Sequence, residues 1–170
     1  EPLPEARNGE LPADTVATTE EVLLFFSDAQ GNQLIAEPRR IEFTDSTAEN
    51  CRNALNALIA GPQETGTVWP VVSPGVKVQA LYLLEGGELV IDFSRELFEE
   101  HKNVQSASFE ALLVYGIVQT LTQDAVKGPK DQAVSRVRFL MEGAPPPFPA
   151  HLDVSSPIAP DRRWVAAPAV

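Results

Sequence analysis

The chain has 170 residues, 44% of them hydrophobic and 22% charged, with a formal net charge of −11. That length suits one domain with a substantial core. The acidity excludes a nucleic-acid partner, which needs clustered Lys and Arg, and disfavours docking on an anionic membrane surface.

Ten of the fifteen prolines lie in residues 1–12 or from Pro145 onward. Both ends therefore read as extended segments around a compact middle. Residues 1–20 form a flexible acidic N-terminal segment, and the chain's start at Glu1 predicts a processed or trimmed N-terminus. VLLFF (22–26) is a continuous apolar run rich in strand formers, as expected of a strand covered on both faces. The turn cluster DAQGN (28–32) and the alternating RRIEF (39–43) complete a hairpin.

Ser46 and Glu49 have capping-box spacing and open a helix. Its apolar stripe is Cys51, Ala54, Leu55 and Leu58, and Gly61-Pro62 stops it. On that stripe Cys51 reads as a small core residue rather than a nucleophile; as the single cysteine it cannot form an internal disulfide. Irregular chain (61–75) leads to a second hairpin, VKVQALYLL (76–84) and ELVIDF (88–93), turning at Gly86-Gly87. A long helix spans about 105–123, where Gly116 predicts a close approach of neighbouring chain because a mid-helix glycine costs about 1 kcal/mol against alanine. SRVRFLM (135–141) alternates Val137, Phe139 and Met141 against Arg136 and Arg138 as a further core strand ended by Gly143. APPPFP (144–149) favours polyproline II and reads as a spacer. Residues 159–170 read as an extended C-terminal tail. The fold class is α+β, a small mixed or antiparallel sheet with two main helices on one face, plus the N-terminal hairpin.

The richest chemistry lies in VIDFSRELFEEH (90–101). Were 94–101 helical, Ser94 and His101 would stand about 10.5 Å apart along the axis, too far for a nucleophile and its base. Ser94 reads instead as a helix N-cap, Glu96 as a carboxylate in the first turn, and His101 as a cation near the helix end. Asp92 is placed to accept amide hydrogen bonds at the turn. His151 is the residue that could still reach Ser94 from afar. No GxSxG, HExxH, CxxC, Walker loop or dinucleotide fingerprint occurs, and two histidines with one core cysteine make a poor transition-metal set. No catalytic, cofactor or metal residue is therefore assigned. Arg40, Arg136 and Arg138 read as solvated charge on outward strand faces. Trp69 reads by default as part of a core or minicore; exposure there would mark ligand or partner contact.

Seven pieces in order carry a resemblance: VLLFFSDAQGNQL, LNALIAGP, SPGVKV, LVIDFS, VYGIVQTLT, RVRFLMEG and HLDVSSPI. Over residues 21–158 the chain resembles the GerMN (spore germination protein M-like) domain of bacterial envelope lipoproteins. The resemblance implies a ring-building-motif-like α+β unit without known catalytic residues. It also implies export, which places the protein outside the cytoplasm, in the periplasm or on the outer face of the cytoplasmic membrane. The cysteine that anchors such lipoproteins is absent, because Cys51 lies inside a helix, so any membrane link runs through a lipid anchor outside this chain. The implied role is non-enzymatic, through contact with an envelope protein, a peptidoglycan-associated partner or a second copy. The competing expectations are a small cell-wall hydrolase using carboxylates, and a binder of a small ligand or calcium.

Overall fold

In the computed structural model, which describes residues 18–99, 107–147 and 151–167, the first strand, β1 (Thr19–Asp28), pairs antiparallel with β2 (Leu34–Glu42). Val22, Leu24 and Phe26 alternate into the core; on the other face Phe25 is covered, whereas Leu23 is exposed. The return strand starts five residues before RRIEF and runs through Pro38, opposite Leu23. Proline is tolerated there because β2 is an edge strand and its missing N–H costs no ladder bond.

Helix α1 (Thr47–Ala60) begins as its spacing predicts: the Ser46 side chain accepts from the Glu49 N–H, and Gly61 closes it with φ +97°. A distant loop reinforces that start. Asp131 accepts from the Thr47 N–H at 2.8 Å, and the Thr47 hydroxyl accepts from the Gly128 N–H. Asn50, fully buried, ties the Thr44 and Val126 carbonyls together.

Within the irregular stretch, β3 (Val68–Trp69) pairs with the end of β1 and completes a three-stranded sheet ordered β2-β1-β3. The second hairpin, β4 (Val78–Leu83) and β5 (Glu88–Phe93), turns at Gly86-Gly87 as expected. It is joined in parallel by β6 (Arg136–Met141), making a mixed sheet ordered β4-β5-β6. Between β5 and β6 run the short α2 (Glu96–Glu99) and the long α3 (Ala107–Thr122). The strands thus divide between two sheets, with the N-terminal hairpin heading its own.

Both sheets share one core. Helix α1 packs on β1, β2 and β4, and α3 on β1, β6 and α1. Leu55, Leu58, Leu113 and Ile117 meet Phe26 from one sheet and Ile91, Phe93 and Phe139 from the other. Gly116 marks a tight crossing: a methyl group there would lie 2.9 Å from Val71 Cγ2 and 3.2 Å from the Phe25 carbonyl oxygen.

The segment read as an extended tail lies, over its described part, against this body. Just before it, Ile158 pairs with Val137 of β6; within it, Trp164 stacks on Tyr115 at 5.8 Å and Val165 bridges to Leu34 of β2. Among the described residues no helix is long and apolar enough to cross a membrane. The expectations for residues 1–17, for His101 and for the end of APPPFP fall outside the described residues.

Candidate functional site

At the β5–α2 junction the reactive-looking residues are all tied to the backbone. Ser94 is buried; its hydroxyl accepts from the Lys77 N–H at 2.9 Å, and its own N–H donates to the Lys77 carbonyl. Its side chain therefore clamps the entry to β4 instead of capping the following helix. The hydroxyl proton goes to Glu96, whose carboxyl this bond and the residue's own amide hold below the usual carboxylate range. Asp92 does accept an amide, from Gly143 at 2.8 Å, so it braces the turn after β6 rather than its own. In that turn Glu142 takes the left-handed conformation (φ 51°), and its carboxylate receives the Arg95 N–H and the Gln79 amide.

His151 is brought not to Ser94 but to Glu110 of α3. Its N–H donates to Glu110 Oε2 at 2.8 Å, and Nδ1 stands 3.5 Å from Oε1. Cys51 is fully buried, where desolvation, with the Asp131 charge adding, pushes the thiol up to about 12. It is a core residue, inert as a nucleophile at neutral pH. The three arginines are on outward faces but are not merely solvated: Arg138 pairs with Glu88 at 3.1 Å, Arg136 donates to the Gly86 carbonyl and Arg40 to Thr19. Among the described residues no group of three or more His, Cys, Asp or Glu is placed to hold a metal ion.

Trp69 reverses its default reading. Pairing with Ser27 fixes its backbone at the end of β1, yet its side chain is 54% exposed. It forms one wall of a groove of about 470 Å³ between the 28–31 turn and the 69–74 loop. Asp28, Gln30, Pro70, Val71, Ser73 and Phe109 also line this groove. The turn reaches the Phe109 side of the groove at ordinary contact distance, since a methyl group at Gly31 would sit 3.7 Å from the Phe109 ring. Composition could not reveal this site, because whether a loop tryptophan is covered depends on how 61–75 folds. A second cleft, about 870 Å³, lies between α3 and the C-terminal segment, lined by Gln119, Asp124 and Arg162 among others.

Residues 23–146 match the Germane family, described as sporulation and spore germination. Among solved structures, a Clostridium perfringens protein provisionally called a lipoprotein is 18% identical, with a TM-score of 0.55 over 88% of this chain and 93% of its own. The tandem GerMN domains of the Bacillus subtilis sporulation protein GerM are 16% identical, with a TM-score of 0.57 over 92% of this chain and 49% of theirs. The chain thus spans about half of that tandem. The first GerMN domain alone is 17% identical, with a TM-score of 0.54 over 85% of this chain and 98% of that one. At such identities the likeness is one of fold. No match to a curated protein sequence was found.

Proposed function

The chain belongs to the Germane family of sporulation and spore germination domains, and from that premise we propose that it is a non-enzymatic module of the bacterial cell envelope. It acts outside the cytoplasm by contact with an envelope protein or the cell wall. The observation that carries this reading is the disposition of the side chains best suited to react. Ser94 is buried with its hydroxyl held between the Lys77 N–H and the Glu96 carboxylate, and His151 is held by Glu110 of α3, so the described residues bring no histidine to that hydroxyl. A hydrolase of the Ser–His kind would need that hydroxyl and a histidine within about 2.6–3.2 Å of each other. Exposed aromatic surface at Trp69 supports the contact role.

The test is photo-cross-linking in cells from a benzoylphenylalanine placed at Gln30, on the rim of the groove. Adducts with envelope proteins or wall glycan are expected. Adducts confined to cytosolic proteins would sink the proposal, as would release of reducing ends from purified wall by the wild type but not by Ser94→Ala.

A further inference from the structure

We propose that the Trp69 groove is a glycan subsite that takes an uncharged, N-acetylated hexopyranose chain. This names the partner class for the envelope reading above and rests on it. The Trp69 wall supplies the first element of such a site. Trp69 is 54% exposed and lines the groove, while its backbone is anchored through the Ser27 pairing and followed by Pro70. An aromatic plane of this kind offers a large apolar area at little cost in conformational entropy, suited to the C–H face of a sugar ring.

Charge narrows the ligand. Asp28 is the one charged residue lining the groove, no lining residue is cationic, and the molecule carries −11 overall. Anionic polymers are disfavoured by that balance. The polar groups that remain are short side chains with both donors and acceptors: the Gln30 amide, the Ser73 hydroxyl and the second oxygen of Asp28. These suit hydroxyl and acetamido groups around a ring, while Val71 and Pro70 offer an apolar surface for an acetyl methyl.

Backbone geometry separates a glycan from an extended peptide. A peptide laid in a groove draws much of its affinity from main-chain hydrogen bonds. In the 28–33 turn three of those N–H groups are already used within the turn. The Asp28 N–H donates to the Gln33 carbonyl, the Gly31 N–H to the Asp28 carbonyl, and the Asn32 N–H to Asp28 Oδ1. Those three donors are withheld from a peptide main chain, while the side chains of that wall remain to meet a ligand.

The two tryptophans make the test direct. In a Trp164→Phe background Trp69 is the sole indole, and its emission is followed while hexa-N-acetylchitohexaose is added to the full chain. A saturable blue shift or quench with a sub-millimolar Kd is expected. Binding of the same probe is then measured calorimetrically: Trp69→Ala weakens it at least about tenfold without change in Tm, and Gln30→Ala weakens it less. No saturable signal up to millimolar oligosaccharide overturns the proposal, as does wild-type affinity in both variants. So does a proline-rich peptide that titrates where the oligosaccharide does not. Envelope-protein adducts from the Gln30 cross-linker, with no oligosaccharide binding, would remove the glycan subsite and leave the envelope module standing.

Discussion

Glu37 lies on an edge strand, yet it is only 8% exposed and collects hydrogen bonds from the Gln63 and Glu64 amides and from Arg39. Burial pushes its carboxyl up, but the two amides and the guanidinium outweigh burial and leave it below the usual carboxylate range. A carboxyl lowered by folding stabilises the native state fully at neutral pH. That contribution fades as pH falls from the ordinary value of about 4.3 through the lower folded one. Glu37→Gln should therefore cost about 2 kcal/mol at pH 7, with a narrower gap to wild type at pH 3. Urea denaturation at the two pH values checks this, and an equal gap at both would refute it. Residues whose role is local were legible: Ser46, Cys51 and Gly61 follow from spacing along one helix. Glu37 was not, because its amide partners lie 26 and 27 positions away. Gly128 was equally silent, although a methyl group there would fall 2.0 Å from the Asp45 carbonyl oxygen.

An element shows the same division in α3. Its apolar stripe predicts a buried helix, and Gly116 predicts a close crossing. Its last turns do something periodicity does not encode. Beside β3, the free edge of β1 is closed by side chains: Gln123 accepts from the Leu23 N–H at 2.9 Å and donates to the Leu23 carbonyl at 2.7 Å, while Thr120 accepts from the Phe25 N–H. One amide thus stands in for a residue of a neighbouring strand and covers an edge that would otherwise invite pairing. Gln123→Leu keeps the helix but leaves the Leu23 peptide unpaired. It should cost about 1–2 kcal/mol and speed hydrogen exchange at the Leu23 amide, with little change at Leu24. Unchanged protection of Leu23 would show that the helix does not close this edge.

For the whole molecule the decisive segment is the last one. Ile158 joins β6 of the mixed sheet, and Val165 with Ala166 joins β2 of the other, so residues 158–166 strap the two sheets together. Trp164 is the anchor between those ends, stacked on Tyr115 of α3. Trp164→Ala should cost about 3 kcal/mol, or roughly 6–12 °C in Tm for a chain of this length. Calorimetry checks it; a shift below 2 °C would mean that the strap only decorates the body. The proline-rich composition that marked this region as extended gave no guide to its docking, nor to the 3-10 turn at Arg162–Trp164 that places Trp164.

The sequence by itself determined the order of hairpin, helix, hairpin, helix and strand, the α+β class and the family. The element order and the class are written in short-range periodicity, capping and turn chemistry, read one segment at a time, whereas the family rests on the resemblance of seven motifs in order. Only the tertiary structure decided that β6 joins β5 in parallel, that Ser94 answers to Lys77 and His151 to Glu110, and that Trp69 faces outward. Those outcomes depend on which distant backbone donors and acceptors fold together, because a buried polar group takes whatever partner the packing brings within reach.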